Sequence, residues 1–229
     1  VPTLERANLL QSSRFLRIRR LARAVDTGLL APEMREAGLR TAWGAHADTL
    51  VAIHVGRIAP EKNLGLAVRA FRELQRRHPD ARFVWVGDGP ARAALARDNP
   101  DFVFCGIQRG ADLARHFASG DLFLFPSRSE TFGNVILEAM ASGVPAVAFD
   151  SGAAREHLRD GEHGALVADD AEFVAAAARL AGDPAGLRKI GAAARNAMLR
   201  LRPEQVAADF DALLAGLARR GEGHVVLTA

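Results

Sequence analysis

The stretch DLFLFPSRSETFGNVILEAMASGVPAVAF, residues 121–149, contains the pattern that decides the fold. The short apolar runs at 121–125 and 144–149 have the length and composition of strands that are buried on both faces. Between them, residues 134–141 have a helical pattern, and residues 126–133 form the loop that leads into it. A strand, a helix and a second strand in this order predict a parallel βαβ unit.

The same alternation extends through most of the chain. Further strand candidates lie at 50–55, 82–86, 102–105 and 165–167, and helical patterns at 63–77, 91–98 and 110–118. No strand is predicted after residue 170, where helices are expected from Pro184 to about Leu201 and from Pro203 to Gly221. The tail beyond Gly221 is expected to fray or to pack locally. The predicted fold class is therefore α/β, a Rossmann-like parallel sheet with helices on both faces.

The extent of the strand–helix alternation divides the chain into three parts. Residues 1–45 are an irregular entry segment, residues 46–200 carry the strand–helix alternation, and residues 201–229 form a C-terminal helix and tail. Within the entry segment, RFLRIRRLAR (14–23) could be a strand with a solvated arginine face or a basic amphipathic helix on an anionic membrane surface. We favour the strand.

Bulk properties exclude several classes of protein. The chain has 229 residues, of which 49% are apolar and 25% charged, the balance of a soluble globular protein. It has no apolar run long enough to span a membrane and no signal peptide at its start. With Cys105 as the one cysteine, no intramolecular disulfide can form, and a cytoplasmic setting fits. A net charge of +3 does not indicate nucleic-acid binding.

Ligands of open parallel sheets bind at the carboxyl ends of the strands, so the residues that follow each strand are candidates. After the first strand of the sheet, Gly56 would let backbone approach a ligand, and Arg57 and Lys62 would clamp a diphosphate. The alternative is that Arg57 pairs with Glu61 or another surface acid while Lys62 is solvated near the helix start. The glycines of VGDGP (86–90) indicate a tight turn.

Two glutamates flank the predicted helix start at Gly133 and Asn134. A helix start binds anions through its free N–H groups and its dipole, so Glu130 and Glu138 should not face a phosphate. They would instead accept hydrogen bonds from hydroxyl groups on either side of it. Hydroxyl-rich groups that flank a diphosphate describe a nucleotide sugar. The alternative is a capping carboxylate and an unrelated glutamate on a solvated helix face.

The two glutamates with seven residues between them in ETFGNVILEAMASGVPAVA, with GRIAPEKN upstream and VGDGP between, resemble the motifs of the GT4 family of retaining glycosyltransferases. The resemblance covers roughly residues 15–200. It implies the C-terminal, donor-binding half of a GT-B fold, in which two Rossmann-like domains face a cleft, and it makes residues 1–45 the remnant of an interdomain linker. The motifs are most similar to those of bacterial GDP-mannose-dependent α-mannosyltransferases.

The resemblance also implies roles for individual residues. Arg57 and Lys62 would hold the donor diphosphate, and Glu130 would lie by the hexose; these three are the candidate catalytic residues. Glu138 would bind the ribose, and the nucleobase would rest near Gly106–Arg109. The candidate substrate-binding residues are Gly56, Gly106, Gln108, Gly133, Asn134, Val135 and Glu138.

The implied reaction is transfer of a hexose, first guess mannose, from a GDP- or UDP-sugar to a lipid or glycan acceptor. No Asp-x-Asp motif is present, so neither a metal nor another cofactor is expected. Residues 1–45 are too short for the N-terminal Rossmann domain, so the chain as given is expected to bind donor and to transfer little or no sugar. The expected location is cytoplasmic, at the inner face of the membrane if the absent domain makes peripheral contact.

Other chemistry has less support. The seven histidines lack a metal-ligand spacing, and His54, within a strand, is interpreted as a core residue. Two alternatives stay open: a nucleotide-sugar epimerase of GT-B fold and a non-catalytic sugar-nucleotide-binding module. The sequence leaves the nucleobase, the hexose, the acceptor and the oligomeric state open.

Overall fold

The computed structural model describes residues 19–20, 22–128, 133–220 and 227–228. Residues 26–199 form one compact unit. The described residues among 1–25 and 200–229 belong to a second unit.

The larger unit is built on a parallel sheet, which among the described residues has six strands in the order β4-β3-β2-β5-β6-β7. Its strands are β2 (Val51–Val55), β3 (Arg82–Val86), β4 (Val103–Gly106), β5 (Leu122–Phe125), β6 (Ala146–Phe149) and β7 (Gly164–Val167). Its helices are α1 (Ala37–Ala42), α2 (Leu64–Gln75), α3 (Arg92–Asp98), α4 (Gly110–Ser119), α5 (Asn134–Ala141), α6 (Gly152–His157), α7 (Asp170–Ala181) and α8 (Pro184–Met198). The predicted fold class is confirmed.

One strand boundary and two helices differ from the prediction for identifiable reasons. Strand β6 begins at Ala146 rather than at residue 144, since Pro145 has no N–H to donate to a strand ladder. Helix α6 was not predicted because its six residues are too few to show a period. Helix α7 was not predicted either, since its alanine-rich sequence gives little contrast between a buried and an exposed face.

Helices cover the two faces of the sheet. From β2 the chain crosses through α2 to β3 on one side, and from β5 through α5 to β6 on the other. Because such crossovers are right-handed, α2 and α5 lie on opposite faces. Helix α2 packs along α7, and α5 packs along α8.

An aromatic cluster forms part of the core on the α2 face. The Phe71 and Phe83 rings stack with centroids 4.9 Å apart, and Trp85 lies 4.6 Å from Phe83. Phe102 contacts both phenylalanines edge-on. These buried rings fix α2 on the sheet and thereby fix the loop that precedes it.

A buried arginine organises the amino edge of the sheet. The Arg40 guanidinium donates to Ser119 O at 2.8 Å, to Thr49 O at 2.5 Å and to Asp121 Oδ2 at 3.1 Å. The same Asp121 oxygen, directly before β5, accepts from the N–H of Val51, the first residue of β2, at 2.8 Å. The cation therefore has a structural role at the edge opposite the carboxyl ends of the strands.

The second unit contains β1 (Arg19–Arg20), which pairs in parallel with β8 (Leu227–Thr228), and helix α9 (Pro203–Arg220). The prediction that no strand follows residue 170 was therefore wrong for Leu227–Thr228. A strand does occur within 14–23, at Arg19–Arg20, while 14–18 and 21 lie outside the described residues. Among the described residues no helix combines the length and the apolarity needed to cross a membrane.

Candidate functional site

The candidate site lies where the direction of strand order changes, between β2 and β5. At such a switch point the loops that follow the two strands diverge and leave a crevice. Strand β2 pairs with β3 over five residues but with β5 only at Ala52↔Leu122 and Ile53↔Phe123. The carboxyl ends of β2 and β5 therefore extend past the end of their shared ladder.

The loop after β2 carries the two predicted cations. Arg57 Nη1 donates to Glu61 Oε1 at 2.8 Å, and both side chains are more than half exposed. Lys62 ends a short 3₁₀ helix, Pro60–Lys62, directly before α2. An exposed ion pair contributes little to stability, so Arg57 could exchange Glu61 for a ligand phosphate at small cost.

Glycines bring backbone close together at the ends of β2, β3 and β4. The Gly56 N–H donates to Val86 O at 2.9 Å, and the Gly87 N–H to Gly106 O at 2.7 Å. A Cβ atom on Gly87, whose φ is 136°, would lie 1.9 Å from Gly56 O, so only glycine fits there. Beyond β4, Gln108 Nε2 donates to Cys105 O at 2.7 Å and fixes the turn.

Helix α5 begins at Gly133, its N-cap residue, which has φ 89° and no side chain to accept a hydrogen bond. The N–H groups of Asn134 and Val135 precede the first intrahelical bond, and Asn134 is exposed. At the other end of α5, Arg195 Nη1 donates to Ala141 O at 2.8 Å, and the same guanidinium donates to Thr27 O. The helix is thus held at its C-terminal end while its N-terminal end can receive an anion.

Glu138 lies about one turn inside α5 and is half-buried. Burial raises the pKa of its carboxyl group above the usual range. Among the described residues no donor reaches this carboxylate. A half-buried carboxylate without a protein donor is suited to accept hydrogen bonds from ligand hydroxyl groups.

The predicted site residues that lie within the described part of the chain are all at the carboxyl edge of the sheet. These are Gly56, Arg57 and Lys62 after β2, Gly106 and Gln108 at β4, and Gly133, Asn134, Val135 and Glu138 at α5. Glu130 lies outside the described residues. A hydrogen bond from Asn63 Nδ2 to Pro126 O, 3.3 Å long, connects the loop after β2 to the loop after β5.

A second group of charges at this edge was not foreseen. Arg128 Nη2 and Arg69 Nη2 each donate to Asp170, at 2.7 Å, and the Arg128 guanidinium lies 3.9 Å from the centre of the Phe149 ring. These hydrogen bonds, first of all that from Arg128, lower the pKa of the Asp170 carboxyl group. Since Asp170 is 42 residues from Arg128, no local pattern could have indicated the pair.

The described residues contain no group of three or more histidine, cysteine, aspartate or glutamate side chains that could hold a metal ion. His54 is a buried core residue, as predicted, and its ring contacts Trp85 with centroids 4.7 Å apart. Its Nδ1 lies 3.1 Å from Leu124 O, so it also bridges β2 and β5.

The family model and the relatives that match this sequence indicate the same family. The family model described as glycosyl transferases group 1 matches residues 49–183. A GDP-mannose-dependent alpha-mannosyltransferase from Mycolicibacterium smegmatis is 38% identical over 199 residues, which cover 86% of this chain and 51% of the relative. The chain spans about half the length of this relative and less of the next two.

Comparison with solved structures gives the same fold. Sucrose-phosphate synthase from Thermosynechococcus elongatus has a TM-score of 0.77 at 24% identity, over 94% of this chain and 57% of that protein. The Anabaena protein HepE in complex with UDP has a TM-score of 0.70 at 24% identity, over 85% of this chain and 56% of its own. At this identity the likeness shows a shared fold.

Proposed function

Since the chain belongs to the group 1 glycosyl transferases, we propose that residues 26–199 are the donor-binding half of a retaining hexosyltransferase. The donor is a nucleoside diphosphate sugar, with GDP-mannose as the first choice. The choice of mannose and guanine is supported by the Mycolicibacterium smegmatis relative, which is a GDP-mannose-dependent alpha-mannosyltransferase. The acceptor is a lipid or a glycan.

One observation carries the proposal: a half-buried carboxylate without a donor among the described residues stands one turn from an open helix start. The N–H groups at Asn134 and Val135 suit a phosphate, and Glu138 suits the ribose hydroxyl groups behind it. Across the crevice between β2 and β5, Arg57 and Lys62 supply the positive charge that a diphosphate needs. A ligand with a diphosphate and a hydroxyl-rich sugar next to it satisfies all of these groups.

The proposed chemical role of these residues is electrostatic. In a retaining transfer the sugar–phosphate bond breaks through an oxocarbenium-like state, and negative charge grows on the leaving diphosphate. Fixed positive groups at that position stabilise the transition state more than the ground state. Arg57, Lys62 and the start of α5 would supply them.

We propose that donor binding needs no metal. The two cationic side chains take the place that a divalent ion would occupy between the phosphates, and the described residues offer no carboxylate cluster to hold such an ion. We therefore expect the same GDP affinity in EDTA as in Mg²⁺. Loss of binding in EDTA with recovery in Mg²⁺ would disprove this part of the proposal.

Sugar transfer is proposed to need a second domain in addition to the residues of this chain, which spans about half the length of its Mycolicibacterium smegmatis relative. That domain would supply the acceptor contacts and any peripheral contact with the inner face of the membrane, in the cytoplasm. That relative is named as a transferase, which favours transfer over an epimerase or a non-catalytic module.

The test is calorimetric titration of this chain with GDP, UDP, GDP-mannose and UDP-glucose, in parallel with the Arg57→Ala variant. We expect the guanine ligands to bind more tightly than the uracil ligands. Arg57→Ala should weaken binding about tenfold, the effect of removing one charge-assisted contact to phosphate. A folded wild-type sample that binds none of the four ligands would disprove the proposed donor site.

A further inference from the structure

We propose that Asn63 is a positioning residue for the donor diphosphate, which rests on the function proposed above. Its amide would hold the loop after β2, with Lys62 at its end, at a fixed separation from the loop after β5. Asn63 would thus act through the position of Lys62, without touching the donor itself.

The first observation is where the β2–β5 ladder ends. Beyond Ile53↔Phe123 the two strands have no further register pairs. Two side-chain contacts between described residues cross this interval: the His54 ring reaches Leu124 O at 3.1 Å, and Asn63 Nδ2 reaches Pro126 O at 3.3 Å. Asn63 therefore makes the outermost of the two bridges, closest to the mouth of the crevice.

The second observation is the backbone of Asn63. With φ 55° and ψ 38° it is the one non-glycine residue with a positive φ in the described part of the chain. Asparagine tolerates this left-handed conformation better than most residues do, but glycine adopts it at no steric cost. A turn that needed only the backbone shape would be served best by glycine. The side chain of Asn63 therefore points to a second requirement, and the contact with Pro126 O supplies one.

The third observation is what Asn63 connects. It is the C-cap of the 3₁₀ helix that ends at Lys62 and the N-cap of α2, and the Leu66 N–H donates to its carbonyl oxygen at 3.0 Å. Helix α2 is fixed on the sheet by its buried face. The bridge to buried Pro126 therefore ties the cationic loop to the segment that follows β5 and leads to α5.

Asn63→Gly isolates the side chain, since glycine keeps the left-handed turn and removes only the amide. We expect Asn63→Gly to weaken GDP binding about fivefold, because a loop released from this bridge has to be ordered when GDP binds. Asn63→Ala, which removes the amide and also strains the turn, should have a lower unfolding temperature than Asn63→Gly. Asn196→Ala, at an exposed position on α8, is the matched control and should bind like the wild type.

A double-mutant cycle with Lys62→Ala distinguishes positioning from a general loss of structure. If Asn63 acts through Lys62, then Asn63→Gly should cost little further GDP affinity once Lys62 is alanine. Additive losses would overturn the positioning role, as would wild-type affinity in a folded Asn63→Gly variant, and either result would leave the proposed donor site standing. A wild-type chain that binds no nucleotide would overturn the donor site and the positioning role together.

Discussion

Helices α5 and α7 begin at the same edge of the same sheet, yet their first turns are built in opposite ways. At α7, Asp169 Oδ1 accepts from the Glu172 N–H at 2.9 Å, and Glu172 Oε2 accepts from the Ala168 N–H at 2.8 Å. At α5 the N-cap is Gly133, which has no side chain to accept such a bond. The chain completes α7 with its own carboxylates, whereas in the described part of the chain no side chain caps the start of α5.

The two helices also differ in the pairing and the pKa of a carboxylate near the start of each. Asp170, at the start of α7, is paired with two arginines that lower its pKa, so it stays ionised. Glu138, inside α5, is half-buried, and its pKa is raised. An ionised carboxylate that is paired at the surface costs the folded state little, whereas a half-buried carboxylate that no described donor reaches destabilises it until a ligand supplies a donor. The comparison favours a structural role for the start of α7 and supports the binding role proposed for α5.

The largest expected effect follows from Glu138→Ala. Because the carboxylate would accept hydrogen bonds from two ribose hydroxyl groups, its loss should weaken GDP binding by roughly tenfold to a hundredfold. Calorimetric titration measures the change. Undiminished GDP affinity in this variant would show that the α5 carboxylate is not the ribose acceptor.

Glu138→Gln is the matched control, and it separates stability from binding. A carboxyl whose pKa is raised on folding binds more protons in the folded state, so wild-type stability should fall as pH rises from the ordinary glutamate pKa through the raised one. The glutamine variant has no such group. It should unfold at a higher temperature than the wild type at neutral pH, lose this advantage in acid, and still bind GDP more weakly.

Asn134→Asp would make the start of α5 resemble that of α7. The substitution keeps the shape of the side chain and places a negative charge in the first turn, where it should stabilise the helix by about 0.5 kcal/mol. The same charge would repel the diphosphate and should weaken GDP binding about tenfold. Thermal unfolding and titration measure the two effects. A parallel change in stability and affinity would contradict the proposed anion site.

A feature can be predicted from the sequence when the residues that cause it are close together in the chain. Strand β3 and helix α5 were predicted at their observed limits, because a strand buried on both faces is a continuous apolar run and α5 carries its own start signal. The reciprocal capping at Asp169 and Glu172 has a local signature that was overlooked. The contact between Arg128 and Asp170 depends on the order of the strands, so no local pattern contains it.

Asp169→Ala tests the other half of the comparison. Removing the cap of α7 should cost about 1 kcal/mol of unfolding free energy and leave GDP affinity unchanged. Asp169→Asn, which preserves the capping oxygen, should retain most of the stability. Chemical denaturation measures the free energies. If Asp169→Ala weakened GDP binding as much as Asn134→Asp does, the two helix starts would not differ in function.

The smallest expected effect concerns Glu61, which competes for Arg57. Glu61→Gln removes the exposed carboxylate 2.8 Å from the Arg57 guanidinium, and because such a pair is worth less than about 1 kcal/mol, GDP affinity should rise about twofold to threefold. The control is Glu73→Gln, which removes a comparable pair between Glu73 on α2 and Arg76, the C-cap of that helix, and should leave affinity unchanged. A gain from Glu61→Gln that disappears in the Arg57→Ala background would identify Arg57 as the cation that Glu61 withholds. Equal affinities for both glutamine variants would show that the pair does not compete with the diphosphate.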